Sequence, residues 1–161
     1  MFREMRRTKQ EMPRNRCEEV LERGTSGVLA VLGDEDYPYA VPLSYVYRDS
    51  KIYFHCAKNG HKLDAIAKNN KVSFCVIDQD VVVREKYTTN YRSVIVFGRA
   101  RILEGEEKKR ALLELALKYV PDGGEENRAV AEKELSRVCM VEIEVEYMTG
   151  KEGRNIVQEQ I

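Results

Sequence analysis

The sequence predicts a single, mainly β domain with peripheral helices, built on a six-stranded antiparallel barrel that is closed or half-closed. Three observations carry this. Extended segments of alternating or β-branched residues recur along the chain and are joined mostly by short polar turns. Helical segments gather around a break in that series instead of alternating one for one with strands, which disfavours a parallel doubly wound sheet. The 161 residues suffice for one buried core and leave no room to expect a second folded unit.

Taken in order, residues 1–12 form an arm that carries Arg3, Arg6, Arg7 and Lys9 against Glu4. It reads as solvated and partly mobile, with a grip on a partner subunit as the alternative. Residues 13–23 read as a short helix with Cys17, Val20 and Leu21 on one face, and Gly24 is expected to end it in a left-handed cap. Residues 28–32 and 39–48 then read as two antiparallel strands around the turn 33–36. Asp49-Ser50 marks a tight turn into a third strand, residues 51–56, with Tyr53 and His55 on one face and Ile52, Phe54 and Cys56 on the other. Helical spacing returns over 60–69 through Leu63, Ile66 and Ala67, and a strand follows at 72–77.

Residues 78–91 read as polar and turn-like apart from Val81-Val82-Val83. Residues 93–103 read as a long central strand bent at Gly98. An amphipathic helix over 106–119 shows Leu112, Leu115, Ala116 and Tyr119 in its stripe, and a second helix is expected over 125–136. The last strand alternates Val141, Ile143 and Val145 with Glu142, Glu144 and Glu146, one face buried and the other wet. Residues 150–161 read as a loose tail.

Composition narrows the functions. Lys plus Arg and Asp plus Glu both number 27, which gives no global attraction to nucleic acid or to an anionic membrane. No apolar run approaches the roughly 20 residues that span a bilayer, and the opening residues lack the apolar stretch of a secretory signal, so a cytoplasmic protein is expected. Cys17, Cys56, Cys75 and Cys139 are irregularly spaced and fit reduced thiols better than a disulfide framework. The only histidines, His55 and His61, join Cys56 in no recognised metal-ligand spacing, so no metal is expected. There is no Gly-x-Gly-x-x-Gly, no Gly-Lys-Ser/Thr and no Gly-x-Ser-x-Gly, which argues against nucleoside triphosphate binding and serine hydrolysis.

Two places could hold a ligand. Asn59-Gly60-His61-Lys62 opens a helix directly after a strand, which brings free backbone N–H groups, the positive helix end and an ammonium to one spot. It reads as a phosphate site or as an ordinary strand-to-helix turn with a solvated lysine. Pro42 lacks an N–H, so Ala40-Val41-Pro42-Leu43-Ser44-Tyr45 reads as a sheet edge, either merely protected or open to a planar heterocycle.

Four segments in order, Gly27-Val28-Leu29-Ala30, residues 39–45, residues 52–57 with Gly60-His61-Lys62-Leu63-Asp64, and residues 91–98, resemble the pyridoxamine 5′-phosphate oxidase-like superfamily, and within it the 5-nitroimidazole resistance (Nim-type) proteins. The resemblance runs from about Met5 to Lys151. It implies a six-stranded split β-barrel of the FMN-binding type, a homodimer, and flavin mononucleotide (FMN) at the interface contacted by both chains. By position, Val41, Pro42, Leu43, Ser44 and Tyr45 resemble the strand lying along the flavin ring. His55 and Cys56 fall where the next strand approaches the cofactor. His61 and Lys62 match an Arg-Lys pair that holds the phosphate in the oxidases, and Ser93 matches a polar position that reaches the flavin. The Trp and Arg segment tied to the pyridoxamine substrate has no counterpart, since the chain has no tryptophan, so pyridoxamine phosphate oxidation is not expected. A histidine near the flavin is tied to activity in Nim-type relatives, which makes His61 the leading catalytic candidate and His55 the reserve. The expected function is an FMN-dependent oxidoreductase acting on a small-molecule substrate or electron acceptor. The alternative is a flavin- or haem-binding module for sensing, storage or electron buffering.

Overall fold

The structure, a computed structural model, describes residues 1–153 and Ile156. Its strands are β1 (Glu11–Met12), β2 (Ser26–Leu32), β3 (Pro38–Ser44), β4 (Val46–Arg48), β5 (Lys51–Cys56), β6 (Lys71–Val83), β7 (Thr88–Leu103) and β8 (Cys139–Glu152). Its helices are α1 (Arg14–Arg23), α2 (His61–Lys68), α3 (Gly105–Tyr119) and α4 (Gly124–Glu134). The sheet runs β3-β2-β6-β7-β8-β5-β4, with β1 added to β8, and every pairing is antiparallel.

That order makes the sheet curl. β3 and β4 stand at opposite ends of the path, which in a flat sheet are roughly 29 Å apart at about 4.8 Å per strand spacing. Yet only Tyr45 separates them in sequence, and a one-residue link spans about 7 Å. The two ends therefore come together at Tyr45 without pairing: this is a split barrel. The expected strand 39–48 is two strands broken at that residue.

The inner face carries the core. Ile52, Phe54, Phe74, Val94, Val96 and Ile143 are all fully buried in it. α1 covers one end of the barrel with Cys17, Val20 and Leu21. α3 and α4 pack on the outer face near β5 and β8 through a second cluster, Leu103, Ala111, Leu112, Ala131 and Met140. The meeting point of the edges is tied down by both helices. Tyr45 is 1% exposed and donates its hydroxyl to Leu21 O at 2.8 Å, and burial raises its pKa far above the usual phenol range. Lys118 of α3 sits 5.0 Å from the Tyr45 ring centroid and donates to Glu22 O and Gly24 O, satisfying carbonyls at the end of α1.

Several expectations need correction. Gly24 is extended, at φ −60° and ψ 140°, and is required for space: a Cβ there would meet Tyr45 Oη at 2.4 Å. Residues 78–91 are not turn-like, because β6 and β7 run on as a two-stranded ribbon to the turn at Arg84–Lys86. Glu142 is not wet. It is 3% exposed under α3, where it accepts from Lys51 Nζ at 3.1 Å and Arg101 Nε at 2.8 Å, while Glu144 and Glu146 do face solvent. The arm packs against the sheet, with the Phe2 ring stacked 4.7 Å from Tyr147 and Gln10 buried, because β7 and β8 present aromatic side chains there. Residues 150–152 belong to β8 rather than to a tail, and most of the remaining tail lies outside the described residues. The bend at Gly98 is present: the β7–β8 register shifts between Phe97 and Gly98, so that Glu146 is the extra residue.

Candidate functional site

β5 ends at Cys56, and residues 57–60 carry the chain to α2. Gly60 has φ +136°, a region closed to L side chains, and it precedes the helix with no side-chain cap. Its carbonyl accepts from Leu63 and Asp64 at 2.9 and 3.2 Å, so the amides ahead of those two are the helix's uncapped donors. Lys62 is half-buried beside this end. Its ammonium has no hydrogen-bond or ion-pair partner among the described residues, and its charge is felt by the Cys56 thiol.

His61 is held by the β2–β3 turn. Its ring stacks on Tyr39 at 4.2 Å, and the Asp34 amide donates to Nε2 at 3.3 Å. An accepting Nε2 carries no proton, which leaves the proton of the neutral ring on Nδ1. The Asp34 carboxylate lies 3.6 Å from the same nitrogen and would take its hydrogen bond if the ring became charged; Lys68 already pairs with that carboxylate at 3.2 Å. Tyr39 and Asp34, which position this histidine, were not singled out in the sequence, because nothing local links residue 34 to residue 61.

β3 is an edge strand paired only with β2, as Pro42 suggested. Its side chains alternate, with Val41 and Leu43 turned toward the core and Pro42 and Ser44 exposed. Tyr45 points into the interior, so only its backbone is available to a ligand. His55 and Cys56 project from opposite faces of β5. Cys56 packs against the barrel core, whereas His55 faces a cavity of about 130 Å³ lined by Leu112, Leu115, Tyr119 and Val138 of the helical layer. The two histidines therefore do not converge.

Ser93 is farther off. Pro42, Val28, Cys75 and Ile95 form one row across β3, β2, β6 and β7, so Ser93, two residues beyond Ile95, lies three strand spacings from the β3 edge, roughly 14 Å. Within one chain His61 stacks on Tyr39 near the start of β3, with Lys62 within electrostatic reach of Cys56, whereas Ser44 lies at the other end of that strand, exposed on the outer face that also carries Ser93. That face carries Leu32, Ile77, Ile95 and Phe97 at 43, 66, 40 and 37% exposure, with the Phe2 ring of the arm 5.5 Å from that of Phe97. A groove of about 540 Å³ crosses it between Leu32, Ser73, Phe97 and Arg99; neither His61 nor Lys62 lines that groove. No cluster of three or more potential metal ligands occurs among the described residues.

A family model described as pyridoxamine 5′-phosphate oxidase matches residues 13–152. Among solved structures, the chain is similar to a candidate 5-nitroimidazole antibiotic resistance protein from Bacteroides thetaiotaomicron, at 22% identity and TM-score 0.74 over 88% of this chain and 85% of that one. It is similar to a conserved hypothetical protein from Mycobacterium tuberculosis, at 18% identity and TM-score 0.81 over 98% and 97%. It is also similar to the FAD and heme binding protein from Mycobacterium smegmatis, at 20% identity and TM-score 0.79 over 94% and 77%. No curated protein matches it.

Proposed function

Because this chain belongs to the pyridoxamine 5′-phosphate oxidase family, we propose that it is a flavin-binding protein, that the flavin is FMN, and that it serves as an oxidoreductase. The observation that carries the proposal is Lys62: a half-buried ammonium without a partner among the described residues, at the uncapped start of a helix, suits an anion. FMN supplies that anion as its phosphate and, when bound, accepts a hydride or single electrons.

The chain's own residues divide the remaining work. Lys62 and the α2 amides would hold the phosphate. The free backbone edge at Val41, Leu43, Ser44 and Tyr45 would meet the polar rim of the ring, and Cys56 would line its approach. His61, fixed by Tyr39 and the Asp34 amide, keeps Nδ1–H as the position from which it can orient a small anionic substrate or pass a proton. His55 stays in reserve, since it faces the helical layer. Ser93 cannot reach this edge within one chain. It joins the site when a second copy packs on the apolar outer face, so the working unit is a homodimer with the flavin between its subunits.

The test is a titration. FMN added to the purified protein is expected to bind near one per chain. Lys62→Ala should weaken FMN about ten- to a hundredfold by removing a charge-assisted contact, while riboflavin, which lacks the phosphate, should lose little. Equal affinities of parent and variant for FMN would remove Lys62 from the site. The similarity to a heme- and FAD-binding protein keeps a second reading, a cofactor module without turnover, and steady-state oxidation of a nicotinamide donor with a candidate acceptor separates the two.

A further inference from the structure

Cys56 and Cys139 are direct partners across the β5–β8 ladder, at the last residue of β5 and the first of β8. Directly opposed residues of antiparallel strands have Cα atoms about 4.5–5.5 Å apart, inside the range of about 4.4–6.8 Å that a disulfide spans. Both are free thiols close enough to act on each other. Cys56 is half-buried, and Cys139 is 8% exposed behind it. The other two cysteines have no such partner: Cys17 lies against Met12 O, and Cys75 stands between Val28 and Ile95.

We propose that Cys56 and Cys139 form a redox-active dithiol that closes to a cross-strand disulfide when the protein meets a low-molecular-weight disulfide oxidant. The Cys56 thiolate, the more accessible, attacks one sulfur of the oxidant. The oxidant's S–S bond breaks, a first thiolate leaves, and a mixed disulfide forms on Cys56. The Cys139 thiolate then attacks the Cys56 sulfur and expels the second thiolate. Two electrons pass to the oxidant, which departs as two thiols carrying the two cysteine protons.

Burial raises both thiols, Cys56 to about 11, and the nearby charges act in both directions: Lys62 of α2 lowers Cys56, Lys108 of α3 lowers Cys139, and Glu104 raises Cys139. Thiolate is thus the minor form at neutral pH, and closure should quicken as pH rises toward that value. The bond would pin the end of β5, and only residues 57–59 separate Cys56 from Gly60 at the start of α2. The pairing of the two thiols stands on the β5–β8 register and not on the flavin reading, and it is tested without added FMN.

The parent protein is to be incubated with oxidised glutathione at pH 9, quenched in acid, alkylated and mapped by mass spectrometry, with thermal unfolding measured alongside. The expected product has lost two hydrogens, carries a Cys56–Cys139 link with Cys17 and Cys75 alkylated, melts higher than the reduced form and reverts with dithiothreitol. Cys139→Ser is expected to trap glutathione on Cys56 and to show no rise in melting temperature. Glutathione retained on Cys56 of the parent with Cys139 still alkylated would overturn the proposal, as would a link to Cys17 or Cys75 or no reaction at all. If Cys139→Ser does not fold, the parent's map alone decides.

Discussion

Asp78 sits where the β6–β7 register slips between Ile77 and Gln79, and two guanidiniums meet on it. Arg23 of α1 binds both its oxygens at 2.7 Å, and Arg92 binds one at 3.1 Å before passing to Glu152, which also pairs with Arg16. Burial alone would raise the Asp78 carboxyl, but Arg23 and Arg92 outweigh it and hold it below its ordinary 3.8; Arg101 and Lys51 likewise outweigh burial at Glu142 and hold it below 4.5. Between each depressed value and the ordinary one the unfolded chain binds more protons, so stability is complete above the ordinary values and is lost as pH falls through the depressed ones. The melting temperature is therefore expected to hold steady near neutrality and to fall below about pH 4. Asp78→Asn should cost about 2 kcal/mol at pH 7, less than the 3–5 of a fully buried pair because Arg23 is partly exposed, and should flatten the acid limb measured by calorimetry. None of this was legible in the sequence, where Asp78 stood in a stretch read as a turn. The helix start that carries Lys62 was legible, because a helix opening directly after a strand is a local pattern. The hold on His61 was not, since it depends on Asp34, which is distant in sequence.

At the scale of elements, the bounds of β5, α2 and α3 follow the sequence closely because side-chain period and caps are local properties. The failures share one cause. β6 and β7 outrun their apolar stretches because each completes the other's hydrogen bonds, and Val81 and Val82 stay 52 and 68% exposed on that ribbon. Alternation in β8 suggested one wet face, but α3 lies over the start of that face and encloses Glu142 with its two cations. Gly98 is the residue on which the β7–β8 bulge depends: a Cβ there would fall 2.2 Å from Glu144 O, a backbone atom that cannot swing aside. Gly98→Ala is expected to destabilise the protein by about 1–3 kcal/mol, the usual range for overpacking, and chemical denaturation with an unchanged m-value would measure it.

For the molecule as a whole, the barrel was visible as a series of strands with short connections, but its order was not. Nothing in the local pattern says that the strands on either side of Tyr45 go to opposite ends of the sheet. The outer face over β2, β6 and β7 keeps Leu32, Ile77 and Ile95 exposed beside the arm, and light scattering of the FMN-loaded protein is expected to give a dimer. A stable loaded monomer would separate Ser93 from the flavin.

β8 joins β7 to β5 and so links the two halves of the path, β3-β2-β6-β7 and β5-β4, although among the described residues it is the last strand in chain order. The keystone is therefore made after every strand it joins. A nascent chain that has not yet released residues 139–152 holds two open edges, β5 and β7, each lined by side chains meant for the core, and no local pairing can close them. Barrel formation must follow the emergence of β8 rather than accompany the earlier strands. A chain stopped at residue 138 is expected to pellet on centrifugation or to remain bound to chaperones, while one stopped after residue 153 stays in solution.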